Sequence, residues 1–184
     1  MNTRPLFIAL LIALLAQTGH YAEHVAQMIQ IYVQYIAPAK AHGLLGSVFD
    51  FELVHFSYNI GLELILIWIW WLYRAASRDD ARADWSTPAD ATPVSRLGFY
   101  LLTGLVVFQG YHSIEHIVKL YQYLFVPLYQ SGMPPTPGIL PIITGWPIYL
   151  VHFWFNTIVW VGMVLAVWCL RPRHVRGRLQ PDTK

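Results

Sequence analysis

The 184-residue chain has one cysteine, Cys169, and only 12% charged residues. A single thiol excludes an intrachain disulfide framework and a cysteine-based zinc site. Scarce charge, with 56% hydrophobic residues and a mean hydropathy of +0.43, excludes an ordinary soluble globular domain and points to the bilayer. Twelve basic against ten acidic residues leave a net charge of +2, and no basic patch interleaved with aromatics indicates nucleic acid. At this length the chain makes one modest domain.

Against that apolar background the polar residues stand in a pattern that occurs twice. Gln17-x-x-His20-x-x-Glu23-His24 is matched by Gln109-x-x-His112-x-x-Glu115-His116, and Val54-His55-Phe56-x-x-Asn59 by Val151-His152-Phe153-x-x-Asn156. The first motifs are 92 residues apart and the second 97, so the loop between them gains five residues in the later copy. Arg4 with Arg96, and Arg74 with Arg171, keep the same offsets. Six of the eight histidines fall in matched positions, leaving only His42 and His174 outside, whereas apolar neighbours drift (Val25/Ile117, Leu14/Val106). Imidazoles and carboxylates kept while the filling changes indicate a duplicated site.

The expected fold is all-α: an integral membrane four-helix bundle of two tandem two-helix repeats. Repeat one spans 1–74, with crossings at about 5–36 and 47–73. A polar linker, 75–96, precedes repeat two at 97–171, with crossings at about 97–128 and 142–170, and a basic tail covers 172–184. Met1 to Ala16 has the look of a secretory signal, but Leu97 to Phe108 plays the same part in mid-chain, so the first apolar segment is expected to be a retained helix. Both loops on one side contain only Lys40, while nearly all other basic residues lie on the opposite side. The positive-inside rule then makes the termini and linker cytoplasmic, most simply in a bacterial inner membrane. The repeats start on the same side, so they are related by a pseudo-two-fold axis along the membrane normal.

At ~1.5 Å per residue, His20 and His112 lie about 24 Å from Arg4 and Arg96, and His55 and His152 about 28 Å from Arg74 and Arg171. Four helices therefore bring their histidines to one level, in the outer half of the bilayer. At 100° per residue, Gln17, His20, Glu23, His24 and Gln27 share one face, within about 60° of His20; Glu52, His55 and Asn59 do likewise. Buried ionisable groups at that depth must be paired, hydrated or bound.

The candidate metal ligands are His20, Glu23, His24, His55, His112, Glu115, His116 and His152, because imidazoles four residues apart can grip one ion from one helix. Gln17, Asn59, Gln109, Asn156, Glu52, Glu63 and Lys119 are expected to support them, with Lys119 placed to pair with Glu115 at i+4. Glu52 and Glu63 have no acidic counterpart, Tyr149 and Trp160 standing there; Glu63 suits a proton path or a protonated, hydrogen-bonded carboxyl. Met133 and His42 in the outer loops could pass a soft metal inward. The eight tryptophans suit an interfacial belt and lipid-facing bulk.

Three functions compete. The foremost is a non-haem iron or copper redox centre, with zinc less suited, acting on a hydrophobic molecule or a quinol from the lipid. The second is b haem between single histidines on facing helices, with Gly19, Gly61, Gly104, Gly110 and Gly162 making room, in an electron-transfer cytochrome or a subunit of a larger membrane complex. The third is a metal carrier or a metal-free proton relay. His-x-x-Glu-His also matches the inverzincin string, but inside membrane helices it lacks a metalloprotease context. Many histidines in a membrane bundle are similar in architecture to the membrane-bound metal oxygenases and desaturases, without their motif spacings or length. That likeness is of architecture and assigns no reaction; an enzyme here is expected to act on O₂ with a hydrophobic molecule, or on a quinol.

Overall fold

A computed structural model describes residues 4–46, 52–82, 96–130 and 135–171. Helix α1 (Arg4–Tyr32) leads through a 3₁₀ turn at Pro38–Lys40 to α2 (Glu52–Arg82). Helix α3 (Arg96–Phe125) is followed by a 3₁₀ turn at Pro127–Tyr129, the short α4 (Leu140–Thr144) and α5 (Ile148–Leu170). No strand occurs among the described residues. Helices α1, α2, α3 and α5 are long and apolar enough to cross a membrane, the shortest having 23 residues. A helix satisfies every backbone group internally, which an apolar medium demands. Their outward faces carry large apolar side chains, among them Ile12, Leu15, Val107 and Trp168. An apolar girdle of that extent suits lipid and not water.

The helix ends differ from expectation where backbone chemistry intervenes. Helix α1 stops at Tyr32, short of Ile36, because Tyr35 turns the chain with φ 55° before Pro38. Helix α3 stops at Phe125, since Pro127 supplies no amide hydrogen and disfavours helical geometry in the residue before it. The last expected helix is two: Gly145 closes α4 in the left-handed region (φ 70°), and Pro147 opens α5. Helix α2 runs past Tyr73 to Arg82, into the segment read as linker, where no proline occurs before Pro88. The start expected for α2 at 47–51, the rest of the linker at 83–95, the tail with His174, and Met133 lie outside the described residues.

Inside the bundle the layers segregate by polarity. Leu6, Leu10, Leu62, Leu66, Ile69, Leu102, Val159 and Met163 fill an apolar half near the end where α1 and α3 begin. Gly98 and Gly162 permit close packing there, since a Cβ would come within 2.6 Å of Leu170 and 2.7 Å of Leu105 respectively. The other half, beneath the connecting loops, buries Gln17, His24, Asn59, Gln109, His112, Ser113, Glu115, His116, Lys119, His152 and Asn156. So polar a layer in so apolar a chain demands a chemical reason.

Candidate metal centre

Helices α1 and α3 each carry two histidines one turn apart, and α2 and α5 each carry one. The His20 and His24 rings are 4.8 Å apart, and His55 lies 5.7 Å from His20 and 6.3 Å from His24. On the other side His112 and His116 are 4.8 Å apart, with His152 at 5.9 Å and 5.1 Å from them. Two further contacts join the triads: His24 to His152 at 5.9 Å and His55 to His116 at 6.1 Å. All six matched imidazoles therefore form one cluster, while His42 lies exposed in a loop.

The nitrogens of His20, His24 and His55 are gathered enough to hold a metal ion, one from each ring lying within 4.8 Å of the others. His20 Nε2 and His24 Nε2 are 3.3 Å apart. Among the described residues no second group of three is gathered so closely. The other triad is distinguished differently. His112 is fully buried and neither of its nitrogens has a hydrogen-bond partner; His116 Nδ1 and His152 Nε2 are likewise buried and unpartnered. Buried polar atoms are nearly always satisfied, so four such nitrogens in one layer need an explanation. Metal coordination supplies one.

The two expected carboxylate ligands are engaged by the loops. Glu23 accepts hydrogen bonds from the Leu44 amide (2.6 Å) and the Leu45 amide (3.0 Å), and Glu115 from those of Ile139 (2.6 Å) and Leu140 (2.8 Å). Tyr111 donates its hydroxyl to Glu115 as well. Both carboxylates thus bind loop backbone instead of turning into the cluster. Backbone amides outside regular structure still need acceptors, and a charged acceptor makes the stronger bond. Gln30 clamps the Gly43 amide and carbonyl, and Gln122 does the same at Gly138. Gly43 (φ 74°) and Gly138 (φ 77°) are required at these clamps, because a Cβ on either would come within 2.5 Å of the carboxylate. These four residues were not among the expected site residues. Their signal was present: Gln30 and Gln122 keep the 92-residue offset of the histidines.

Below the rings, amides tie the helices in crosswise pairs. Gln17 donates to Asn156 (3.0 Å), linking α1 to α5, and Gln109 donates to Asn59 (3.1 Å), linking α3 to α2. Asn59 and Asn156 each donate to the backbone carbonyl of the histidine one turn earlier, His55 or His152. This network fixes the heights of the rings that α2 and α5 contribute. Tyr58 lies against His20 (4.3 Å between centroids) and donates to Gln17, while Phe155 stacks on His112 at 4.6 Å.

No known protein family, curated protein or solved structure matches this chain. The chemistry of the site therefore has to speak for itself.

Apart from Glu23 and Glu115, the charged side chains beside the cluster among the described residues lie on α2 and α3. Lys119 pairs with Glu52 (2.9 Å), whose other contact is the Thr136 hydroxyl at 2.7 Å, and not with Glu115 as the helix spacing suggests. Glu115 is already held by the loop amides. Glu63, on the same helix as Glu52, keeps its Oε2 buried without a partner. Cys169 stands near the far end of α5, seventeen residues from His152, so the gathered donors are imidazoles alone. Neutral imidazoles from several helices are donors for a transition metal.

Proposed function

We propose that this chain is an integral membrane protein whose histidine layer holds a non-haem metal centre. The observation that carries the reading is the gathering of His20, His24 and His55, with one ring nitrogen from each within 4.8 Å of the others. The ligands are these three, with His112, His116 and His152 completing the cluster. Iron or copper fits a redox role better than zinc, and the site lies fixed above an apolar half closed by Leu10, Leu66, Leu102 and Met163, which offers a carrier no polar route.

The chain on this reading is a duplication, residues 1–74 and 97–171 about a pseudo-two-fold axis along the membrane normal, joined by the 75–96 linker. Its support is the set of paired hydrogen bonds: Glu23 and Glu115 on loop amides, Gln30 and Gln122 on glycines, Gln17–Asn156 and Gln109–Asn59 across the helices. On this reading both termini are cytoplasmic and the centre lies toward the outer face, an orientation favoured by the distribution of basic residues. A redox centre at that depth suits a metal-dependent oxidoreductase whose hydrophobic or quinol substrate enters from the lipid.

Ring packing favours a bare ion over b haem. A macrocycle between His24 and His55 would have to displace His20, which touches both. Of the glycines expected to make room, Gly162 packs on Leu105 and Gly110 on Glu63, while Gly19, Gly61 and Gly104 have nothing within 4 Å of a Cβ. Elemental analysis with an optical spectrum of the detergent-purified protein tests the reading. One or two equivalents of iron or copper without a Soret band is the expected result. A Soret band makes the protein a cytochrome, and absence of metal leaves a structural or proton-conducting core.

A further inference from the structure

The two helix seams that flank the centre differ in charge: the acids without an acidic counterpart, Glu52 and Glu63, lie on one of them. The α2–α3 seam carries Glu52, Glu63 and Lys119; the aligned residues of the α1–α5 seam are Tyr149, Trp160 and Gln27. Glu63 Oε1 lies 3.3 Å from where a Cβ of Gly110 would be, so its carboxyl rests on the α3 backbone. The aligned pair makes the same crossing with other chemistry, Trp160 Nε1 donating to Thr18 Oγ1 at 3.0 Å. A satisfied indole in one seam is thus an unsatisfied acid in the other.

The surroundings of that acid connect it to the rings. Glu63 Oε2 is buried without a partner, and so is Oε1 of Gln109, the residue next to Gly110. His55, Asn59 and Glu63 follow one another at four-residue intervals along a single stripe of α2. Asn59 accepts from Gln109 and, at its carbonyl, from Ser113, the neighbour of His112. On the other side of Glu63 the core is apolar, with Leu66, Ile69 and Leu102. Charged groups on the packed elements are engaged elsewhere: Lys119 by Glu52, Glu115 and Glu23 by loop amides. The remaining titratable groups of α1, α3 and α5 toward this level are His20, His24, His112, His116, His152, Tyr21 and Tyr111.

We propose that Glu63 is the proton-exchanging group of the centre, an inference that rests on the metal-centre reading. When the centre gains an electron from an external one-electron donor, Glu63 takes one proton from solvent, forming an O–H bond at its carboxylate; reoxidation releases it. The net charge of the buried layer is then unchanged, which a low-dielectric interior strongly favours.

The test is an infrared difference spectrum, dithionite-reduced minus oxidised, of the full-length copper-loaded protein in detergent, with copper content measured on the same samples. A protonated-carboxyl band should arise on reduction, shift in D₂O, and be absent in Glu63→Gln at unchanged copper content. Gly110→Ala, which crowds Oε1, should shift the band without removing it. A band that persists in Glu63→Gln, or a reducible copper-loaded wild type with no such band, overturns the proposal while leaving the metal centre intact. Failure of the wild type to retain copper or any other added metal overturns the metal reading itself, and this inference with it.

Discussion

The two histidine triads use the same residues at the same spacing, yet they rest in different states. His20, His24 and His55 bring one nitrogen each together, with only His24 buried; His112, His116 and His152 are all buried, their rings no further apart, but their nitrogens are less closely gathered and four of them lack a partner. Their surroundings differ too, with Tyr58 against one and Phe155 against the other, and, among the described residues, an ion pair at the α2–α3 seam. The contrast teaches that matched ligands do not imply equal sites. Neighbouring residues decide which triad is gathered in advance; on the metal reading, the other would need the ion to draw it together.

The sharpest way to break that contrast is to remove one ring from each triad. His24→Ala takes away a gathered nitrogen and one of the two contacts between triads. Metal affinity should fall by more than roughly 100-fold, beyond what losing a supporting hydrogen bond costs. His116→Ala should cost visibly less for the first equivalent, measured by competition with a chromophoric chelator. Equal losses would make the triads equivalent after all.

Next in size is the seam asymmetry. Lys119→Met strands Glu52 and should cost about 3 kcal/mol, the low end for breaking a buried pair, because Glu52 is partly exposed. Adding Glu52→Leu should recover most of that loss in thermal unfolding in detergent. Gln27→Met at the aligned position, which forfeits one neutral hydrogen bond to Ala41, should cost only about 1 kcal/mol. A double variant no more stable than Lys119→Met would show that the pair is not what matters there.

Glu115→Gln and Glu23→Gln weaken charge-assisted bonds to loop amides, so each should lower stability by about 2 kcal/mol. Metal content should hold in both, and proteolysis should find the loop at 37–46 or 135–147 more accessible. Loss of metal with an unchanged loop would return the carboxylates to the ligand set. Tyr58→Phe is the smallest change, about 1 kcal/mol for one neutral hydrogen bond, and it makes the first triad resemble the second. A shift in the metal's optical spectrum confined to this variant, and absent in Phe155→Leu, would assign the difference between the triads to the phenol.

Much of this was readable from the chain. Long apolar segments, and histidines at one height on four of them, follow from hydropathy and from 1.5 Å and 100° per residue. The carboxylate role was not readable, because spacing places Glu23 beside His24 but says nothing of the loop amides waiting above it. Lys119 shows the same limit. A four-residue spacing offers Glu115, whereas folding delivers Glu52 from another helix. The break at Gly145-Trp146-Pro147 was readable and was passed over, since a glycine stop and a proline start were masked by apolar residues on both sides. Gln30, Gln122, Gly43 and Gly138 were hidden by being ordinary polar and loop residues, though the glutamines repeat with the histidines.

X-ray absorption at the metal edge tests the central claim most directly. On the purified, metal-loaded protein the account predicts at least three imidazole nitrogens around the ion, at about the 2.0–2.1 Å typical of zinc–histidine bonds. That shell should thin in His24→Ala and stay intact in Glu23→Gln. A shell of oxygen or sulfur without imidazole, or one unaltered by His24→Ala, would contradict it.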